Sequence, residues 1–398
     1  MNRKQKSIIV TLILFIATLS PILSIPVVYG HNPTWWDYDW NQRLELTINH
    51  TLIDDTLTNF PVLVYIDEDE VNWGDVQNNL DDIRFTGNEL NELDFEIDSF
   101  TLNWDVWFWV RLPEVSSSID TYFFMYFDNK FCVSGENAEA VWDENFVMVQ
   151  HMNDATTSTI TDSTSNDNDG SKKGANEPIQ SAGKIGSAQD FDVIDDYIEI
   201  TDNAGLQITS EITVETWLNP DNAVAGLRYF IDKENGAMNN GWLMWRYGAA
   251  DNRIGFAINA IDNPDKYIIS SATVVDGVWG YVTARYNGSD LDLQVDAINL
   301  NEATSEVLVD SGTDIHLGKF FATFYDGDMD EVRISNVRRS DAWIKSSYYS
   351  GSLELVIIGY HEHYTEYYAT TGFVFSTILV GIFILIMIGG IIFVAKKR

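Results

Sequence analysis

The chain carries a single cysteine, Cys132, in 398 residues. No disulfide can form within it, so an exported fold of this composition must be held by core burial, aided by any metal it binds. Basic residues are also scarce: 24 Lys and Arg stand against 60 Asp and Glu, a formal charge of −36. A surface of that sign repels phosphate backbones, which excludes nucleic acid as a partner. It suits divalent cations, high salt or colloidal repulsion, and composition does not choose among these. The six histidines do not cluster; His361 and His363 share a strand face near the C-terminus but lack a third ligand for zinc. There is no Ser-His-Asp order, phosphate-cradling glycine loop or cysteine pair, so the common hydrolase, nucleotide-binding and redox signatures are missing.

What is present is apolar and aromatic. Hydrophobic residues make up 45% of the chain and aromatics 13%, including 13 Trp, far from the composition of a disordered chain. From Trp35 to about Asn129 the apolar residues alternate: Leu44, Leu46 and Ile48, then Phe60 to Ile66, then Trp107 and Trp109, then Tyr122 to Phe127. Period two between Asn, Asp, Gly and Ser turns reads as strands, and no helical period of comparable strength competes with it. Asn235-Gly236, Asn240-Gly241, Asp276-Gly277 and Asn287-Gly288 are tight-turn signals at the spacing of an all-β sandwich.

The two ends differ from this body. Arg3, Lys4 and Lys6 precede the apolar run Ile8 to Leu19, and Gly30 offers a small residue for cleavage; residues 1–30 read as a signal peptide, with an uncleaved anchor as the alternative. Phe373 to Val394 is uncharged and is followed by Lys396, Lys397 and Arg398. It is long enough at about 1.5 Å per residue to cross a ~30 Å hydrocarbon core, and the positive-inside rule places its basic tail in the cytoplasm. The expected topology is single-pass type I at the cell membrane with the body outside. The expected organisation is 1–30 signal peptide, 31–140 a first β domain, 141–350 a second, 351–370 a connector, 371–395 a transmembrane helix and 396–398 the tail.

Asp326 to Tyr349 organises the body. Asp330, Val332 and Ile334 alternate with Glu331 and Arg333, which predicts a strand with the first set buried and the second in solvent. Ser340 then N-caps a helix of about two turns that would plug an open end of the sandwich, with Asp341 at the positive end of its dipole. This stretch, with the Asp-Glu-Val-Arg-Ile-Ser run before Arg-Ser-x-x-Trp-Ile, resembles the final strand of laminin-G-like domains of the concanavalin A-like lectin/glucanase superfamily. GKIGSAQDFDVIDDYIEI, ITVETWLNP, GVWGYVTARYNGSDLDLQVD and IHLGKF extend the resemblance back toward Val141. Two positions depart from it: Val193 and Ala297 stand where the family usually has Gly. The earlier tracts WWDYDWNQRLELTI, NFPVLVYI, DDIRFTGNELNELDFEID and WVRLPEV resemble a domain of unknown function, DUF2341, found in prokaryotic, including archaeal, cell-surface proteins. Together these imply two β-sandwich, jelly-roll-like domains, the second concanavalin A-like.

The candidate site residues follow. Asp330, at the core rim, must be paired, hydrogen-bonded or metal-bound. The resemblance implies a calcium site, for which Asp192, Asp195 and Asp196 are the companions, since calcium takes six to eight oxygens. Trp242, Trp245 and Tyr247 follow a turn and offer faces for stacking on a sugar, although such residues are more often core. Glu92, Asp94 and Glu96 match the Glu-x-Asp-x-Glu pattern of laminarinase-type glycosidases, but they sit in the first domain and read as a solvated strand face rather than as catalysts. Asn49 and Asn287 head N-glycosylation sequons. The resulting expectation is a surface-anchored, non-enzymatic adhesion protein recognising glycans or surface proteins. An extracellular glycosidase and a structural stalk are the alternatives.

Overall fold

The computed structural model describes residues 35–364 except 102–104, 176, 222–225, 237–238, 249–250 and 260–265. The expected signal peptide and transmembrane helix lie outside the described residues, and among the described residues no helix is long and apolar enough to cross a membrane. The described body is all-β and is built from two sandwiches. In the first, a five-stranded sheet runs in the order Val356–His363, Gln42–Ile48, Thr121–Phe127, Arg84–Gly87, Glu92–Leu93. It faces a three-stranded sheet of Leu57–Ile66, Asp105–Val115 and Phe95–Thr101. Alternation decides which residues fill the space between: Leu44, Leu46 and Ile48 from one sheet meet Phe108, Val110 and Leu112 from the other in a single apolar cluster.

The second sandwich pairs two eight-stranded sheets. One holds Asp326–Ser335 between Ser187–Asp192 and Ile212–Pro220, with Phe146–Gln150 added along the same strand. The other carries Leu227–Glu234, Gly241–Tyr247 and Arg253–Ile258 as neighbours. Val214, Leu218, Val332 and Ile334 of the first sheet and Trp242, Met244, Phe256 and Ile258 of the second form the core between them.

Three expectations about the clasp region are corrected. Glu331 and Arg333 are not in solvent; they are 2% and 6% exposed, because the outer face of their sheet is covered by the three-stranded sheet of the first sandwich. Arg333 lies over the Trp109 and Trp142 rings, at 4.1 and 4.9 Å from their centroids. The helix forms where expected, Asp341–Gly351, with Ser340 Oγ accepting the Trp343 amide at 3.1 Å. It does not plug an end, however. Ala342, Trp343 and Ile344 join the first sandwich's apolar cluster, Trp343 sits edge-on to Phe60, and Ser350 Oγ accepts the Leu63 amide at 2.8 Å.

The third correction concerns residues 351–370, expected as a connector. Val356–His363 is a strand that pairs antiparallel with Gln42–Ile48, His363 opposite Gln42 and Val356 opposite Ile48. The chain thus returns to complete the first sandwich after building the second. Arg43, fully buried, reaches across this pairing to Glu362, its Nε 2.9 Å from Oε2.

Candidate functional site

Four places were singled out by the sequence, and the structure separates them. At the end of strand Ser187–Asp192 the chain turns through Val193, whose φ of +65° is the left-handed conformation that a glycine adopts without strain. This is one of the two positions where the sequence departs from the laminin-G-like pattern. The turn brings one carboxylate oxygen each from Asp192, Asp195 and Asp196 within 4.8 Å of one another. Asp192 Oδ1 accepts the Ile194 amide at 2.9 Å, Asp195 Oδ1 that of Ala175 at 3.2 Å, and Asp196 Oδ2 that of Asp192 at 3.1 Å. Asp196 Oδ1 is buried without a hydrogen-bond partner. Burial, reinforced by the neighbouring Asp192 charge, pushes the Asp196 carboxyl up to about 6. An oxygen-only donor set with excess negative charge fits calcium.

Asp330 stands apart from them, and the reason is a β-bulge. In the pairing with Ile212–Pro220, Trp217 is opposite Asp330 and Glu215 is opposite Arg333, so Glu331 and Val332 together oppose the single Thr216. Glu331 has a φ of +53°. The extra residue moves Asp330 off the face of Val332 and Ile334 and onto the side of Trp217 and Arg333. There its Oδ2 accepts the Ile185 amide at 2.9 Å while Oδ1 is buried without a hydrogen-bond partner. Asp192 is opposite Asp326, four residues earlier, roughly 13 Å along the strand at about 3.3 Å per residue.

The three aromatics split by strand parity. Trp242 points into the core of the second sandwich and is 2% exposed, so it is not an open stacking surface. Trp245 and Tyr247 are on the outer face, in a smaller cluster with Tyr229, Leu243, Ala257 and Phe320. Trp245 lies across Gly255, opposite it in register, where any Cβ would come 2.1 Å from the indole ring. Its own exposure is low, and the rim around it is open: Tyr247 and Tyr267 flank it edge-on, each 6.2 Å between centroids, and both are half-buried. Phe321, which the sequence reading missed, stands beside Phe320 at 4.4 Å with 59% of its surface exposed. It occupies the turn between Lys319–Phe320 and Thr323–Phe324 at φ +52°, an uncommon conformation for a bulky side chain. Alternation alone does not reveal it, because the signal is a positive φ in a two-residue turn.

Glu92, Asp94 and Glu96 do not share a solvated face. Glu92 is exposed and pairs with Arg84 at 3.3 Å, Asp94 accepts from Asn137 Nδ2 at 2.7 Å, and Glu96 is 6% exposed. Glu96 takes the Trp142 indole N–H at 2.9 Å and the Ser163 hydroxyl at 2.5 Å. Asn49 and Asn287, the sequon asparagines, are half-exposed at turns, where their Oδ1 atoms accept the Thr51 and Ser289 amides respectively.

A buried charge cluster was not visible in the sequence. It lies at the seam between the sandwiches, where a second bulge occurs: Ile97 pairs with Phe108 and Ser99 with Trp107, leaving Asp98 as an extra residue. Asp98 Oδ2 is 3.1 Å and Glu331 Oε1 2.7 Å from His151 Nδ1, all three side chains being buried. His151 continues the strand Phe146–Gln150, whose Gln150 is opposite Val332. Burial pushes the Asp98 carboxyl up to about 7 against the opposing pull of His151. Burial works in the same direction on Glu331, but His151 and Arg333 overcome it and hold that carboxyl down at about 2. A separate cleft of about 400 Å³ at the seam is lined by Arg111, Arg338 and Arg339 among others. Each of these guanidinium groups is already engaged, by the Ala140 carbonyl, by Asp292 and by Asp143.

Against known proteins, residues 192–345 match the Laminin_G_3 family model, described as the concanavalin A-like lectin/glucanases superfamily. No curated protein matches the chain. Among solved structures, domain 4 of AbnA, a GH43 extracellular arabinanase from Geobacillus stearothermophilus in complex with arabinotriose, is 16% identical with a TM-score of 0.41, covering 50% of this chain and 97% of that one. The binding domain of Paraclostridial Mosquitocidal Protein 1 is 15% identical with a TM-score of 0.43, and the match covers 52% of each chain. A heptameric SAP-like pentraxin from Limulus polyphemus is 13% identical with a TM-score of 0.32, covering 39% of this chain and 84% of that one. This chain thus spans about half of the toxin binding domain. These likenesses assign no ligand. Residues 192–345 are accordingly a concanavalin A-like lectin/glucanase-superfamily stretch within an all-β sandwich.

Proposed function

We infer that this chain is a surface-displayed binding protein whose second sandwich recognises a glycan through aromatics of its outer face, Tyr247 and Tyr267 beside Trp245 and, by Gly236 at the other end of the same hairpin, Phe321. The observation that carries this reading is Phe321, a large apolar side chain held mostly in solvent on a turn of unfavourable φ. Such placements persist where function offsets their strain. The apolar face of a pyranose stacks on aromatic rings of this kind, and Trp and Tyr supply broad contact area with few torsions to order. Residues 1–30 and 371–395 supply export and anchoring in this reading, which leaves the body outside the cell. Calcium, held by Asp192, Asp195 and Asp196, stabilises the second sandwich. Glu92, Asp94 and Glu96 play no catalytic part, since the first is paired at the surface and the last is locked in the seam.

A single face of this kind binds weakly, so function rests on many copies acting together, where multivalency raises avidity by roughly 10²–10⁴. The test is binding of the full chain, displayed at high density on beads, to an array of surface polysaccharides and oligosaccharides. Binding by wild type that is lost in Phe321→Ala and Tyr247→Ala supports the reading. Binding unchanged by both substitutions removes this face as the site. No binding to any glycan, with binding to a purified surface protein instead, moves the ligand class to protein.

A further inference from the structure

We propose that Asp98, His151 and Glu331 form a structural site for one divalent transition-metal ion, of the zinc class, that ties the two sandwiches together. The donors come from both sides of the seam: Asp98 from the first sandwich, His151 and Glu331 from the second. Their ligand atoms all lie within 4.8 Å of one another, with the imidazole Nδ1 at 3.1 and 2.7 Å from the two carboxylate oxygens. A metal bound at about 2.0–2.2 Å by nitrogen and oxygen holds neighbouring ligand atoms roughly 3–3.5 Å apart, so small movements close this triangle on an ion. One imidazole nitrogen with two carboxylates selects zinc, manganese or iron over calcium, which prefers oxygen alone.

The surroundings are those of a metal site with its outer partners in place. Trp109 donates its indole N–H to Asp98 Oδ2 at 3.1 Å, and Arg333 Nε donates to Glu331 Oε2 at 3.0 Å. Behind the imidazole, His151 Nε2 faces Glu96 Oε2 at 3.2 Å, the carboxylate–imidazole relation that orients metal-bound histidines. Nε2, on the far side of the ring from the triangle, is buried and makes no hydrogen bond, so Nδ1 is the nitrogen that faces the two carboxylates. Charge leads to the same ion. Around the triangle the buried carboxylates Glu96, Asp98, Glu215, Asp330 and Glu331 outnumber the Arg333 guanidinium, an excess of negative charge that suits a bound cation. Both carboxylates are delivered by bulges, Asp98 and Glu331, which recur next to functional sites because they re-aim a side chain.

The site is closed, so the ion enters as the sandwiches come together on folding. The experiment refolds the full chain from denaturant with zinc or with chelator, removes loose metal, and measures zinc content, melting and the X-ray absorption spectrum. The expected result is one zinc per chain, a higher melting temperature than the chelator-refolded sample, and a first shell of one imidazole with oxygens. His151→Gln and Asp98→Asn lose the zinc, whereas Asp195→Asn and His361→Ala keep it. Because the seam variants can fail to fold, the wild-type spectrum decides independently: zinc bound through oxygen alone, or no zinc retained, overturns the proposal. Equal zinc in wild type and folded His151→Gln overturns it as well. In that case the seam is a proton-bridged ion-pair network.

Discussion

Asp98 and Glu331 belong to different sandwiches, yet each is displaced by a β-bulge toward the seam, and their carboxylates meet at one nitrogen of His151. The apolar cluster of the first sandwich also runs through the seam, taking in Trp142, Phe146, Trp217, Tyr281 and Trp343 of the second. Shared burial of this kind couples unfolding of the two parts. Calorimetry of the full chain is expected to give one cooperative transition for the body, with calorimetric and van't Hoff enthalpies equal. Two resolved transitions would mean that the sandwiches unfold independently.

Arg339 forms a two-pronged pair with Asp143, both contacts 2.7 Å, under the Phe146 and Trp343 rings. Burial works against the Asp143 charge, but Arg339 prevails and holds the carboxyl below its ordinary range. A lowered carboxyl stabilises fully above its unfolded value, near 4, and that stability is lost as pH falls through the folded value. Asp143→Asn is expected to cost about 3–5 kcal/mol at pH 7, as for one partner removed from a buried pair. The difference from wild type should shrink below about pH 4 in urea denaturation series. A difference that is constant with pH would contradict this assignment.

Val193 is held at φ +65° in the turn that gathers Asp192, Asp195 and Asp196. A left-handed non-glycine residue costs roughly 1–2 kcal/mol, of which glycine's extra backbone entropy returns about 0.5–1. Val193→Gly is therefore expected to raise stability by up to about 1 kcal/mol. Calcium at a hundredfold excess over its Kd adds about 2.7 kcal/mol to a fold that alone binds it. That gain should vanish in Asp195→Asn and persist in Asp330→Asn. Melting curves that are the same in calcium and in chelator would remove the ion.

Trp242 and Tyr247 were grouped by sequence and are expected to behave differently. Trp242→Ala opens the core and should cost about 3–5 kcal/mol, whereas Tyr247→Ala, at the rim, should stay near 0.5 kcal/mol. Equal losses in denaturant titrations would place both in one core.

What was legible in the sequence was local. Period two revealed the strands and Ser340 its helix cap, because each depends on neighbours a few residues away. The two bulges were not legible. One inserted residue exchanges the faces of a strand, so Asp330 was assigned to the core side and Glu331 and Arg333 to water. Glu96 read as solvated for a similar reason: its cover comes from Trp142 and Ser163, distant in sequence. Val356–His363 looked like a connector because it is mostly exposed, an edge strand whose ladder partner among the described residues is the distant Gln42–Ile48.

The most direct test of the account is the binding of bead-displayed wild-type chain, beside Phe321→Ala and Trp242→Phe chains, to arrayed surface glycans. The expected result is that wild type and Trp242→Phe bind the same glycans while Phe321→Ala, still folded by its melting curve, binds none. Glycan binding that survives Phe321→Ala and Tyr247→Ala together, at wild-type strength, would contradict it.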